Sequence, residues 1–379
     1  MRVLVASDSF KGTLTSREVA DVVARGLADV MPDASCERLY VGDGGEGTLD
    51  AVAASCEGEL RHATVCGPLG EPVDAAFAIL PGGRAYIESA AACGLPLVPA
   101  GRRDPLHATT AGVGELVEAA LSAGCREIVV GLGGSATNDA GAGMARALGV
   151  RLLDEHGREL EGLPCELARV REVDLSGMDP RLAGCEVRAM CDVTNPLTGP
   201  EGATYVYGPQ KGLRASELAA TDEALRSYAA CVARALGRDE AATPGAGAAG
   251  GLGFSLRAFA HASLAPGIEC VLDLVGFDDA ARGCDLVVTG EGHLDEQTRR
   301  GKVVAGVAAR SAALGVPCVA IVGGASAKAE LEGLDGLSAV VSCVTEPLSE
   351  EEALAHPEEG LLRASCRLFS LLALGRRLA

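Results

Sequence analysis

The stretch MRVLVASDSFKGTLTSREVADVV, residues 1–23, decides the fold class. It opens with the short apolar run Val3–Ala6, which is typical of a strand buried on both faces. Thr15–Glu18 then has the pattern of a capping box, which starts a helix, and apolar residues follow at helical spacing until Pro32. A strand followed directly by a helix is the repeating unit of an α/β protein, so we predict a parallel sheet covered by helices.

The same alternation of strand and helix continues at both ends of the chain. A second strand is predicted over Glu37–Val41, with a helix after it. Three more strands are predicted in the C-terminal part, over Asp285–Thr289, Val316–Val322 and Ala339–Cys343. Five strands separated by helices favour the parallel order 2-1-3-4-5.

The pattern changes between these two ends. Turns separate three short runs, Arg61–Cys66, Val73–Leu80 and Arg84–Glu88, which predicts an antiparallel stretch. Because this stretch interrupts the alternation, we predict that one domain is inserted into another. The predicted domains are a discontinuous parallel-sheet domain and an inserted mixed α/β domain, made of residues 1–57 with 276–379 and of residues 58–275, respectively.

Charge and composition exclude several classes of partner. Acidic residues number 52 against 33 basic ones, for a net charge of −19, so nucleic acid and anionic membranes would be repelled. The apolar run at the N-terminus is too short for a signal peptide. The 14 cysteines include no C-x-x-C pair and are scattered through apolar runs, which predicts reduced thiols and a cytoplasmic location. We therefore expect neither nucleic acid nor a membrane as partner.

Loops after the predicted strands combine small residues with carboxylates or lysines. Ligands bind beyond the carboxyl ends of the strands in an open parallel sheet, so these loops are candidates for function. The simplest alternative is that their glycines and aspartates only form turns and helix caps. Phosphoryl transfer requires cations on the phosphates, for which Lys11 and Lys302 are candidates. The carboxylates that could act as a base or bind Mg²⁺ are Asp8, Asp43, Asp192 and Glu291.

Two segments match the pattern G-x-G-x-x-G. Gly42–Gly47 follows a strand, but its internal Asp43 and Glu46 would repel a dinucleotide pyrophosphate unless Mg²⁺ bridges them. Gly245–Gly250 contains only glycine and alanine, so its N–H groups can approach a nucleotide phosphate closely. A flexible linker is the alternative for this second segment. The pattern G-x-x-x-x-G-K-[ST] does not occur, which excludes a P-loop.

Six motifs together are similar to those of bacterial type-I glycerate kinases, and they follow one another in the order of that family. They are Asp8–Thr13, Asp43–Thr48, Gly133–Gly141, Asp192–Leu197, Gly245–Gly251 and Thr289–Gly292. Each motif alone is weak, but six in order are specific. The chain resembles this family over its whole length.

The resemblance implies a flavodoxin-like domain, an inserted α/β domain often compared with restriction endonucleases, and an active site in the cleft between them. It also implies ATP, Mg²⁺ and D-glycerate, with 2-phosphoglycerate as the more usual product. The residue roles rest mainly on the positions at strand ends. The predicted roles are catalysis for Asp192, Lys11, Lys302 and Asp43; substrate binding for Ser9, Asn138 and Asn195; nucleotide binding for Gly133, Gly134, Ser135, Gly245, Gly247 and Gly250; and Mg²⁺ binding for Asp8 and Glu291.

Alternatives remain open for the function and for the base. The chain could be a glycerate kinase, a kinase of another small hydroxy acid, or a non-catalytic protein that binds a small anion. An anion-binding protein has no use for Asp43, Asp192 and Glu291 around its ligand, which favours a kinase. Asp192 is the favoured base, and the rival assignment makes Asp192 a Mg²⁺ ligand and Asp43 the base. Self-association into a homo-oligomer also remains open.

Overall fold

The structure is a computed structural model, and it divides the chain into two compact units. It describes residues 1–45, 47–294, 302–326, 335–344 and 349–378. Unit 1 comprises Met1–Glu57 and Gly267–Ala379, and unit 2 comprises Gly58–Pro266. Glu46 of the segment Gly42–Gly47 lies outside the described residues.

Strands and helices alternate along much of the described chain. The strands are β1 Arg2–Ser7, β2 Ser35–Tyr40, β3 Glu59–Cys66, β4 Pro72–Leu80, β5 Arg84–Glu88, β6 Glu127–Gly131, β7 Arg151–Leu153, β8 Glu172–Asp174, β9 Glu186–Met190, β10 Ser263–Ala265, β11 Leu286–Leu294, β12 Cys318–Ala325 and β13 Leu337–Ser342. The helices are α1 Ser16–Val30, α2 Thr48–Ser55, α3 Ser89–Cys93, α4 Ala111–Ser122, α5 Ala142–Ala147, α6 Ala203–Lys211, α7 Leu218–Leu236, α8 Ala248–Ala260, α9 Gly267–Leu274, α10 Phe277–Ala281, α11 Val303–Ala313, α12 Glu350–Ala355 and α13 Pro357–Leu378. Within the described residues, none of these helices has the length and hydrophobicity that a membrane span requires.

The sheet of unit 1 has the predicted strand order. Its five described strands lie in the order β13-β12-β11-β1-β2, and every neighbouring pair is parallel. Read from β2, this is the order 2-1-3-4-5, so the prediction is confirmed. The predicted capping box is also confirmed, because Glu18 N donates to Thr15 Oγ1 at 3.2 Å and Thr15 N donates to Glu18 Oε2 at 2.8 Å.

Helix α9 belongs to unit 1, whereas the sequence places residues up to 275 in the insertion. Arg310 of α11 explains the difference, because its guanidinium binds carboxylates both on α9 and on α10, which is also part of unit 1. It lies 2.7 Å from Glu269, 2.5 Å from Asp273 and 2.7 Å from Asp278. The boundary therefore lies after Pro266.

Unit 2 contains a mixed sheet in the order β10-β9-β6-β5-β4-β3. Strand β4 is antiparallel to both of its neighbours, β3 and β5, as predicted for this stretch. The neighbouring strands from β5 through β6 and β9 to β10 pair in parallel. Helix α6 is one of several elements that the sequence did not predict. Helix α8 begins at Ala248, inside the segment Gly245–Gly250 that the sequence interprets as a phosphate loop or a flexible linker. Left-handed φ angles at Ala249, Gly250 and Gly251 interrupt this helix at its start.

Candidate functional site

The carboxylate of Asp8 is fixed at the end of β1. The Asp8 backbone N–H donates to Gly290 O at 3.0 Å, which ties this strand end to the neighbouring strand β11. Asp8 Oδ1 accepts a hydrogen bond from Ser9 N at 2.7 Å and lies 3.4 Å from Ser9 Oγ. The side chain is 7% exposed, so a carboxylate is held almost buried beside a serine hydroxyl.

Asp43 and Lys11 form an ion pair between the loops that follow β1 and β2. Lys11 Nζ lies 3.3 Å from Asp43 Oδ2, and 67% of the lysine side chain is exposed. The other oxygen, Asp43 Oδ1, accepts a hydrogen bond from Gly45 N at 3.0 Å, which fixes the position of the carboxylate within its loop. The structure thus brings four predicted residues together, namely Asp8, Ser9, Lys11 and Asp43.

The charges of this cluster are coupled. Burial, together with the negative charge of Asp43, raises the pKa of Asp8 to about 6. Burial acts to lower the pKa of Lys11, but the charges of Asp43 and Asp8, and more weakly of Glu291, raise it. A cation bound beside Asp8 would favour its ionised form, so the cluster suits a ligand that carries positive charge.

Glu291 and Lys302, two further candidate residues, lie in strand β11 and at the start of helix α11, respectively. Glu291 is predicted in a loop after a strand ending at Thr289, but β11 continues to Leu294 and the prediction is wrong on this point. The reason is β12, which extends alongside and pairs Glu291 with Val322. Glu291 is buried, and Lys302 is the N-cap residue of α11.

A buried lysine that sequence analysis missed holds the loop 133–139 of unit 2. Lys211, at the end of α6, is 4% exposed. Its Nζ donates to Ser135 Oγ at 2.9 Å and to the carbonyl oxygen of Thr137 at 2.7 Å. One signal could have revealed it, since the chain has only four lysines and two of the others, Lys11 and Lys302, are predicted to bind phosphate.

Lys211 gives rise to a testable dependence of stability on pH. Burial lowers its pKa to about 8, opposed by the nearby Cys93 thiol and Asp139 carboxylate, whereas an unfolded lysine has a pKa of about 10.4. Between these values the unfolded chain keeps a proton that the folded chain has released, so this group makes the protein more stable as pH rises. We expect the free energy of unfolding of wild type, minus that of Lys211→Met, to increase by about 3 kcal/mol from pH 8 to pH 10.4. Urea unfolding at several pH values measures it, and a difference that does not change with pH would contradict the assignment.

Asn138 and Asp139 lie side by side in this loop and are both completely buried. Asn138 Nδ2 donates to Thr204 Oγ1 at 3.0 Å, while Asn138 Oδ1 has no hydrogen-bond partner among the described residues. Asp139 accepts hydrogen bonds from Thr110 N at 2.8 Å and Thr110 Oγ1 at 2.7 Å, and from the N–H groups of Gly141 and Gly143. Asp139 therefore shapes the loop, and the predicted role of Asn138 in substrate binding stays a prediction.

Asp192 and Asn195 follow strand β9, as predicted, and differ in their surroundings. Asp192 is exposed. Asn195 donates from Nδ2 to Glu201 O at 2.7 Å, and its Oδ1 accepts from the Tyr207 hydroxyl at 2.6 Å. Both ends of the Asn195 amide thus bind the protein and hold this loop, while Asp192 is accessible to a ligand.

The glycine-rich segment 245–250 packs tightly against two neighbouring loops. A Cβ atom at Gly250 would lie 1.9 Å from Thr137 O, and one at Gly247 would lie 2.3 Å from Pro196 O. Gly245 has a φ of +89°, and a Cβ atom at this position would lie 2.9 Å from Cys191 Sγ. These contacts explain why glycine is needed here without any ligand, and nucleotide binding by this segment stays a prediction.

Replacing Gly250 by alanine is expected to destabilise unit 2. The added methyl group would overlap Thr137 O, and the φ of +69° is strained for alanine. We expect the free energy of unfolding to fall by about 3 kcal/mol in Gly250→Ala. Gly184→Ala, whose Cβ would meet open space in the same unit, is the control and should stay within about 0.5 kcal/mol of wild type. Equal urea midpoints for wild type and both variants would show that the tight contact is absent.

Metal-binding side chains and cysteine thiols are the remaining groups that could react or bind a cofactor. Among the residues that the structure describes, no group of three or more His, Cys, Asp or Glu side chains is arranged to hold a metal ion. All 14 cysteines are free thiols. Burial raises the pKa of most of these thiols, for example that of Cys318 to about 12, so they remain protonated and unreactive at neutral pH.

Comparison with known proteins decides the family. The sequence model of the glycerate kinase family matches residues 3–373. The chain is 43% identical to glycerate 2-kinase of Escherichia coli K12 over 378 residues, which cover 100% of this chain and 99% of that protein. The chain belongs to the glycerate kinase family. Membership confirms the resemblance read from the six motifs and makes the protein a phosphotransferase.

Two further comparisons support this membership of the glycerate kinase family. Glycerate kinase of Bacillus subtilis 168 is 44% identical over 366 residues, which cover 96% of both chains. The crystal structure of a protein assigned as glycerate kinase 2 in Salmonella typhimurium LT2 has a TM-score of 0.91 and 41% identity, and it covers 100% of this chain and 99% of that one. The mixed α/β architecture with its parallel and mixed sheets is therefore that of a solved homologue.

Proposed function

We propose that this glycerate kinase transfers the γ-phosphoryl group of ATP to the 2-hydroxyl of D-glycerate, giving 2-phosphoglycerate and ADP. The cluster of Asp8, Lys11 and Asp43 carries the proposal. Lys11 Nζ lies 3.3 Å from the Asp43 carboxylate, and the buried Asp8 carboxylate is nearby, so the cluster offers a cation for the phosphates and carboxylates for their counter-ion. The choice of the 2-hydroxyl is supported by the Escherichia coli relative, whose name is glycerate 2-kinase.

Asp8 and Asp43 have the chemistry to hold Mg²⁺. Their ligand atoms are carboxylate oxygens, which Mg²⁺ prefers, and each carboxylate is fixed by a backbone N–H. Mg²⁺ commonly takes one or two carboxylates from the protein and fills its remaining positions with water and substrate phosphates, so a third protein ligand is not required. When bound, the ion would neutralise charge on the phosphates of ATP. Glu291, buried close enough to influence Lys11, is the further candidate ligand.

Lys11 and Lys302 supply positive charge to the phosphates in this proposal. Charge builds up on the transferring group and on the leaving phosphate, so a cation held in place stabilises the transition state more than the ground state. Lys11 is exposed yet held by Asp43, which places its charge and leaves hydrogen-bond donors for a ligand. Lys302 stands at the N-terminus of α11, where the helix dipole also favours anions.

Asp192 is the proposed base, and the remaining loops bind the reactants. The exposed Asp192 would accept the proton of the attacking hydroxyl. Ser9 donates to the substrate from beside Asp8, and Asn138 and Asn195 complete the proposed substrate contacts. The proposed nucleotide contacts are Gly133, Gly134, Ser135, Gly245, Gly247 and Gly250. The free thiols support a cytoplasmic location, which is part of the same proposal.

The proposal is tested by ADP release from the purified protein. We expect Mg²⁺-dependent ADP release with D-glycerate, and at least about 100-fold lower kcat/KM with lactate, which lacks the 3-hydroxyl, because unpaired polar groups in the site penalise the smaller acid. Omission of Mg²⁺ in the presence of EDTA is the control. Preference for lactate would favour a kinase of another hydroxy acid, and binding without ADP release would favour an anion-binding protein.

A further inference from the structure

Lys211 places a positive charge beneath the loop 133–139 without a direct counter-ion. Its two hydrogen bonds go to a neutral hydroxyl and a carbonyl, and none of the ion pairs among the described residues includes it. Asp139 is near enough to influence its pKa, but the Asp139 carboxylate is occupied by Thr110, Gly141 and Gly143. Burial of a charge is costly unless it is paired, so an anionic ligand would complete this arrangement.

The loop above Lys211 offers unused hydrogen-bond donors. Gly133 and Gly134 are exposed. Leu95 N donates to Gly134 O at 2.7 Å and Ala136 N donates to Cys93 O at 2.8 Å. These two hydrogen bonds form an isolated antiparallel bridge between Gly94 and Ser135, and the Ser135 N–H takes part in neither of them. Within the described residues, the N–H groups of Gly133, Gly134 and Ser135 donate no hydrogen bond. Ser135 Oγ accepts from Lys211, so its own hydrogen is still available to donate.

We propose that Gly133, Gly134 and Ser135 form a subsite for a phosphate group of the nucleotide, and that Lys211 is a positioning residue that supplies its positive charge through the Ser135 hydroxyl. The inference rests on the proposed function, because it names the part of the enzyme that holds one reactant. Three N–H groups and one hydroxyl match the three terminal oxygens of a phosphate better than the two oxygens of a carboxylate. An ammonium that donates to Ser135 Oγ also polarises its O–H, which makes the hydroxyl a stronger donor.

Calorimetric titration with ADP and, separately, with D-glycerate tests the subsite. Lys211→Met is expected to weaken ADP binding about 10- to 100-fold and to leave D-glycerate binding within about 2-fold. In steady state the KM for ATP should rise by a similar factor while kcat changes less, because a contact made equally in ground and transition states is lost. Ser135→Ala is the second variant, and it removes the donor without touching the buried lysine.

The double variant separates a path through Ser135 from a general structural effect. If Lys211 acts through Ser135, the loss of ADP affinity in Lys211→Met with Ser135→Ala is expected to be well below the product of the two single losses. Tyr228→Phe is the matched control, because it removes a buried hydroxyl of the same unit that has no hydrogen-bond partner among the described residues. It should leave ADP affinity unchanged.

Three results would overturn the inference. Wild-type ADP affinity in both single variants would show that the loop holds no phosphate. Loss of D-glycerate affinity in place of ADP affinity would make the anion a carboxylate. A wild-type protein that binds no ADP and does not turn over D-glycerate would overturn the proposed function together with the subsite, whereas the first two results leave the proposed function standing.

Discussion

Replacing Lys11 by alanine is expected to lower kcat about 100-fold or more, and Lys302→Ala is expected to do the same. Each change removes a charge that stabilises the transferring phosphoryl group, and in Lys11→Ala the charges of Asp43 and Asp8 also lose their nearby cation. Steady-state kinetics with saturating ATP and D-glycerate measures the effect. The loss should appear in kcat as well as in kcat/KM, because the interaction is strongest in the transition state.

Arg38→Ala is the matched control for the two lysine variants. It also removes one positive charge from unit 1, from an exposed ion pair in which Arg38 lies 2.6 Å from Asp21. Exposed pairs contribute little, so its kcat should stay within about 2-fold of wild type. Near wild-type kcat/KM in both lysine variants would show that the phosphates are held elsewhere.

Asp192→Asn is expected to lower kcat by a factor of about 10² to 10⁴, because an amide cannot accept the proton of the substrate hydroxyl. The substitution keeps the shape of an exposed side chain, so the fold should be unaffected. Asp74→Asn is the control, since Asp74 is an exposed carboxylate of the same unit that pairs with His62. The measurement is kcat as a function of Mg²⁺ concentration.

The Mg²⁺ dependence of Asp192→Asn separates the two roles that Asp192 could play. Loss of kcat with unchanged apparent Mg²⁺ affinity identifies the base. Partial rescue by high Mg²⁺ or by Mn²⁺ identifies a metal ligand, and then Asp43 becomes the base. Full activity of Asp192→Asn would contradict both roles.

The architecture of unit 1 was predictable because its signals are local. Val3–Ala6 is a continuous apolar run, and Thr15 and Glu18 cap the helix that follows it. Such patterns repeat within a few residues and fix the order of the parallel strands. The end of the insertion was not predictable, because it depends on Arg310 reaching carboxylates more than 30 residues earlier, such as Asp278.

The candidate site was predictable where it follows a strand and not where it depends on packing. Asp8 and Asp43 follow predicted strands, and the structure brings them together with Lys11. Lys211 was missed because α6 contains Pro209 and is followed by Gly212, a composition that is typical of a turn. Gly250 fits a phosphate loop by sequence, yet a Cβ atom at this position would overlap Thr137 O, which only the folded chain reveals.

The ³¹P NMR spectrum of the product formed from ATP, Mg²⁺ and D-glycerate tests the central claim most directly. A phosphate on C2 couples to one proton on its carbon, and a phosphate on C3 couples to two. We expect ADP together with a phosphate ester resonance split into a doublet. A triplet would contradict transfer to the 2-hydroxyl, and the absence of any new ester resonance would contradict the assignment of this chain as a glycerate kinase.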